Sequence, residues 1–272
     1  MSTALRSALD AFLAEANALT KARAVAPLER RLLASVKRVF ALQEAALLRR
    51  LVRVKSRFPA LRESDTDEAL DALIEQALSA TRLPFERAID QAAQDAFLAG
   101  AQAVIAEMGE VAAGFSFDLR HPQAEAYLRS HAAERVTMIA ETTRLGLRAI
   151  LRQGMENGWG YSKTARAIRE KYAEFSKPSP QKHIRNRAEL IAITEVGEAY
   201  EAAALLTAQE LDAAGVTIEK SWLTVGDARV TAKCRANQAK GWISVDASFP
   251  SGHRRPLRFP GCRCALQTRP KE

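Results

Sequence analysis

The sequence predicts a mainly α protein, a body of long helices carrying a small β-rich lobe at its C-terminal end, α+β overall. Three observations predict it. About a fifth of the 272 residues are alanine and only 6% are aromatic, which suits packed helices and not a large sandwich or barrel. Apolar residues recur at helical spacing over long stretches, with charged residues opposite. After Gly215 the texture changes to short β-branched runs separated by turn residues. A hydrophobic fraction of 47% excludes wholesale disorder.

The elements follow in order. Leu28, Leu32, Val36, Phe40, Leu47, Leu51, Val54 and Phe58 form the apolar stripe of a first long helix, which Pro59 ends. Ser64 and Asp67 make a capping-box-like start for a second helix through about Ala80. Pro84 sits in the first turn of a third helix running to about Gly114, and Pro122 opens a fourth. Asn157-Gly158-Trp159-Gly160 stops that helix, and Ser162 caps a short fifth one to Tyr172. Lys177–Pro180 is a loop; a further helix then runs from about Asn186 to Gly215. Strands are expected at 216–225, 241–245 and 262–268. The organisation expected is a helical region over 1–120, a second helical part over 121–215 and the β-rich lobe over 216–272.

Charge is segregated along the chain. Residues 21–57 hold 11 basic and 2 acidic side chains, and residues 64–118 hold 2 basic and 11 acidic. Blocks of opposite sign can neutralise each other in the fold, pair between copies in self-association, or meet a charged partner. Arg30, Arg31, Lys37, Arg38, Arg49 and Arg50 on the first helix are candidate duplex-DNA contacts, as are Lys182, Arg185, Arg254 and Arg255. Such contacts carry affinity without reading sequence. The competing reading is a protein–protein face or a solvated one. No run of 18 or more apolar residues marks a membrane span. Residues 1–19 carry Asp10 and Glu15 and lack the order of a signal peptide, and the odd cysteine count is no disulfide framework. The expectation is synthesis in a reducing cytoplasm, with no membrane partner.

Candidate chemistry is sparse. Cys234, His253, Cys262 and Cys264 would supply four ligands, a set that suits tetrahedral zinc. The alternative is three reduced thiols packed as small hydrophobes. No cofactor is certain, and zinc is the one the residues allow. Glu195 and Asp227 could form an acid/base pair, but such carboxylates more often cap helices or hold an arginine, here Arg229. No phosphate loop, nucleophile elbow or His-Glu-x2-His motif is present, so no catalytic residue is assigned and the expectation is a protein without enzymatic activity, the alternative being a metal-dependent hydrolase or transferase that uses Glu195, Asp227 and the cysteines.

In the C-terminal half the residues become specific. Arg187-Ala-Glu-Leu-Ile-Ala-Ile-Thr-Glu195 is followed by Lys220-Ser-Trp222, Gly226-Asp-Ala-Arg-Val230, Cys234, Val245-Asp246, Phe249 and Pro260-Gly-Cys-Arg-Cys264. This order, with Gly158-Trp-Gly-Tyr-Ser162 before it, resembles the phage head morphogenesis domain of Mu F-like and SPP1 gp7-like minor head proteins over roughly residues 125–268. The resemblance implies a minor capsid protein of a tailed phage or prophage, acting in virion assembly at the portal vertex. It implies as partners the portal protein and capsid or scaffold components, with a role near packaged DNA. Its location would be the host cytoplasm during assembly and then the inside of the head. Glu195, Trp222, Asp227, Arg229 and Arg263 match the family motifs and are expected to be structural. The family often has a cysteine where Thr231 stands and a histidine where Phe259 stands, so two potential metal ligands are replaced here. An Asp227–Arg229 pair would pin the start of the lobe, and Trp222 and Trp242 would fill its core.

Overall fold

The computed structural model describes residues 3–54, 63–174 and 187–271. Within them lie helices α1 (Thr3–Val54), α2 (Glu63–Ser79), α3 (Arg82–Met108), α4 (Pro122–Glu156), α5 (Tyr161–Glu174), α6 (Arg187–Ala213) and α7 (Ala232–Ala239), with a 3₁₀ turn at Gly109–Ala112. Strands β1 (Ile218–Leu223), β2 (Ile243–Ser244) and β3 (Ala265–Pro270) form one antiparallel sheet in the order β2-β1-β3. The mainly α fold with a small C-terminal β lobe is therefore as the sequence predicts.

Several boundaries differ from expectation for identifiable reasons. Helix α1 begins at Thr3, far ahead of the Leu28 stripe, and carries Pro27 within it. The missing amide of Pro27 falls on an exposed position, where the freed carbonyl can meet water. Phe58 and Pro59 lie outside the described residues. Helix α2 opens at Glu63, one residue before Ser64. Helix α5 opens at Tyr161, so Ser162 is in its first turn and not its cap; the carbonyl of Gly160 accepts from Lys163 and Thr164 instead. Helix α7 has no counterpart in the sequence reading.

The chain folds into two compact units, neither continuous in sequence. The first comprises Met1–Arg31, Gln91–Leu128 and Ile191–Glu272; the second comprises Leu32–Asp90 and Arg129–Leu190.

In the first unit, α6 and the sheet enclose a core centred on Trp222, which is fully buried. Phe249 meets its indole edge-on at 5.2 Å and 79°. Trp242 is only half-buried, contrary to expectation: its ring instead lies under the Arg269 guanidinium at 4.2 Å. Helix α6 ends as Gly215 predicts. That residue has φ +101°, and the Val216 amide returns to the Leu211 carbonyl at 3.1 Å. Asp212 then accepts from the Ile218 amide at 2.7 Å and launches β1. β1 is the central strand, pairing with β3 from Ile218↔Pro270 to Leu223↔Ala265 and with β2 at Glu219↔Ser244. Helices α3 and α6 approach so closely at Gly100 that a Cβ there would stand 2.1 Å from the Tyr200 carbonyl oxygen.

In the second unit, the α1 stripe behaves as its spacing predicts. Leu32, Val36, Phe40, Leu47 and Leu51 are buried, and Phe40 packs edge-on against Phe85 of α3 at 6.4 Å. Ile74 of α2, Leu147 of α4 and Ile168 of α5 complete the core. Asp71 accepts from both Arg144 (3.4 Å) and Arg148 (3.2 Å). Gly158 takes φ +58° after α4, as the Asn-Gly stop signal requires.

Candidate functional site

The residues that carry the sequence motifs converge in the first unit, around the start and end of the β lobe. Gly226, with φ +72°, turns the chain out of β1, and the Val230 amide closes the turn onto the Asp227 carbonyl at 3.1 Å. Thr231 caps α7: its hydroxyl accepts from the Cys234 amide at 3.3 Å. Thr231 thus acts as a helix cap.

Asp227 is the electrostatic centre of this turn. Its Oδ2 accepts from Arg229 Nε (2.9 Å) and Nη2 (2.6 Å) and from Arg263 Nη2 (2.5 Å), while Oδ1 accepts from the Arg229 amide (3.0 Å). The hydrogen bonds from Arg229, then those from Arg263, hold its carboxyl well below the usual carboxylate range. The expected Asp227–Arg229 pair is present, and Arg263 joins it from the far end of the lobe. A carboxylate so held is a poor general base, because the pairing strongly disfavours its protonated form.

Pro260 and Gly261 build the second turn. Gly261 has φ +77°, and the Cys262 amide donates to the Phe259 carbonyl at 3.0 Å, the arrangement of a type II turn with proline and glycine at its two central positions. The Gly261 amide donates to Thr194 Oγ1 of α6 at 3.0 Å, which fastens the turn to the helix that also carries buried Glu195. Cys234, Cys262 and Cys264 are buried, and their sulfurs all lie within 4.8 Å of one another. His253 does not join them. Its Nδ1 contacts Ser251 Oγ (3.2 Å) and the Ser251 carbonyl (3.1 Å), in a loop that Asn237 of α7 also holds through Ser251.

Buried Lys21, Glu201 and Lys220 and the half-buried Glu107 were not singled out by the sequence reading. Lys21 of α1 donates to Glu201 Oε1 at 2.5 Å and to the Cys264 carbonyl at 2.6 Å. Glu201 Oε2 accepts from the Leu266 amide of β3 at 2.8 Å. Burial pushes the Glu201 carboxyl up, and the nearby Lys21 ammonium opposes this. On α3, Glu107 accepts from the Thr268 amide (3.1 Å) and hydroxyl (2.7 Å), and burial pushes it up to about 7. The available signal was positional. Lys21, Val25, Leu28 and Leu32 share one face of α1, so a lysine in that stripe needs a buried partner. Glu201 sits among Gly197, Ala204 and Ala208 on the buried face of α6 and needs one too. In the central strand, Lys220 is buried beside Phe249 and donates to the Arg254 carbonyl at 2.9 Å; burial lowers its ammonium to about 8.

The basic candidates fall into distinct groups. Arg254 pairs with Asp246 (2.7 Å), Arg255 with Glu198 (2.8 Å) and Arg31 with Asp95 (3.0 Å), while Arg50 donates to the Ala46 carbonyl of its own helix (3.2 Å). Arg30, Lys37, Arg38 and Arg49 are exposed on α1 with no carboxylate partner among the described residues. Lys182 and Arg185 lie outside the described residues. A cavity of about 250 Å³ opens beside Lys21, Val25, Gly197, Thr224, Cys262 and Arg263. No helix among the described residues is long and apolar enough to cross a membrane.

Comparison with known proteins adds one finding. No curated protein and no solved structure matches the chain. Residues 146–267, which include α5, α6, α7, β1, β2 and the first half of β3, match the family model described as Phage Mu protein F like protein.

Proposed function

We propose that the protein is a minor head protein of a tailed phage or prophage, working without catalysis in head morphogenesis at the portal vertex. The observation that carries this reading is the Phage Mu protein F like match over residues 146–267. Asp227, Arg229 and Arg263 tie the lobe's two ends together, and Trp222 fills its core. Residues 121–215 and 216–272 form the head-morphogenesis domain in this reading, and residues 1–120 are its variable companion. Its partners are the portal protein and capsid or scaffold components, and its place is the host cytoplasm, then the head interior. Co-purification with the portal protein is the direct test.

A second activity rests on a separate observation. Arg30, Lys37, Arg38 and Arg49 are exposed cations along α1 with no carboxylate partner among the described residues, which would let the protein touch duplex DNA without reading its sequence. Reversing Lys37, Arg38 and Arg49 to glutamate should weaken duplex binding at 50 mM salt and flatten its salt dependence. Unchanged binding would remove α1 from the interface. Arg254→Glu should do less, because Asp246 already neutralises that arginine.

A further inference from the structure

Cys234 comes from α7, while Cys262 and Cys264 lie just before the strand that begins at Ala265, so the fold brings together thiols 28 and 30 residues apart in the chain. We propose that these three thiolates bind one thiophilic divalent ion, zinc being the physiological choice, through a three-sulfur set that excludes His253. This inference does not depend on the head-protein reading.

The geometry fits the ion. Sulfurs sharing one tetrahedral zinc at about 2.3 Å stand about 3.8 Å apart. The three sulfurs here already lie within 4.8 Å of one another, so side-chain rotation closes the remaining gap. The three cysteines lie in the core built around Trp222, whose buried indole N–H has no hydrogen-bond partner among the described residues. An N–H donor of this kind can orient a thiolate ligand from the outer shell.

Charge and access complete the case. Zinc with three thiolates carries one net negative charge, and the Lys21 ammonium, paired with Glu201, stands 2.6 Å from the Cys264 carbonyl oxygen. Cys262 also lines the 250 Å³ cavity, so a water molecule entering there can fill the fourth position. The ion would clip α7 to the start of β3. Its role here is structural.

The test uses the full chain, stripped with a chelator under reducing conditions and then loaded with Zn²⁺ or Co²⁺. We expect one ion per chain by elemental analysis and a thiolate-to-cobalt charge-transfer band in the near ultraviolet. His253→Ala should retain both, and Cys234→Ser and Cys264→Ser should each lose the ion. Should the serine variants fail to fold, cadmium-113 NMR of the wild-type chain reads the ligand set directly, with a shift characteristic of three sulfurs. A folded chain that retains no ion after loading, its three thiols all free to titrate, would overturn the proposal. Loss of the ion in His253→Ala would overturn the three-sulfur set.

Discussion

Replacing Lys21 by methionine tests how the N-terminal helix is joined to the β lobe. The side chain keeps its volume and loses its ammonium, which removes both the 2.5 Å contact to Glu201 and the 2.6 Å contact to the Cys264 carbonyl. Glu201 is fully buried, so the change strands a carboxylate whose only remaining described donor is the Leu266 amide. Breaking one partner of a buried pair costs about 3–5 kcal/mol, against about 0–1 kcal/mol for an exposed pair. The variant has a built-in control in pH. Burial already raises the Glu201 carboxyl, and without Lys21 nothing comparable opposes it. A carboxyl raised in the folded state favours folding most when protonated, so the deficit should be large at pH 8 and shrink as pH falls toward that of an ordinary carboxylate. Lys21→Met with Glu201→Gln removes both charges and should recover much of the loss.

The assay is urea denaturation followed by tryptophan fluorescence in a Trp159→Phe background. Trp159 belongs to the second unit, so the remaining signal from Trp222 and Trp242 reports the first. A loss below about 1 kcal/mol at pH 8, or a double variant no better than the single one, would refute a buried pair at this position.

Three further predictions follow from burial and backbone geometry. Glu107 is raised to about 7 by burial, so its contribution to stability is complete below the ordinary glutamate range and lost as pH rises through 7. The urea midpoint should therefore fall between pH 5 and pH 8, and Glu107→Gln should flatten that trend. Gly100→Ala drives a Cβ to 2.1 Å from a backbone oxygen and should cost about 3 kcal/mol or more; Gly158→Ala, with φ +58° but open space around it, should cost about 1–2 kcal/mol, and paired thermal melts compare them. Trp222→Ala should cost about 3–5 kcal/mol, whereas Trp242→Ala, which loses a half-exposed stack on Arg269, should cost about 1 kcal/mol by the same denaturation assay.

The sequence was most informative where one local pattern decides the outcome. The Leu32-to-Leu51 stripe, the Gly215 terminator and the Asp227–Arg229 pair each rest on neighbours in the chain, and each appears in the structure. Helix α7 escaped notice because its eight residues, Ala-Lys-Cys-Arg-Ala-Asn-Gln-Ala, bury only Cys234 and Asn237 and show no apolar period. Thr231 was weighed as a missing metal ligand when its hydroxyl was a helix cap. The Lys21–Glu201 contact joins residues 180 apart, and only the fold pairs them. The cysteines were legible as a group, but their separation from His253 depends on a loop that turns the histidine toward Ser251.

The most direct test of the head-protein reading is retention of the purified full-length protein on its cognate portal protein across a salt series, with duplex DNA run separately. The account predicts that portal binding persists at moderate salt, as a specific docking surface would, while DNA binding falls steeply as salt rises. Binding to DNA with no portal retention at any salt would contradict it, and would make the cations of α1 the function instead.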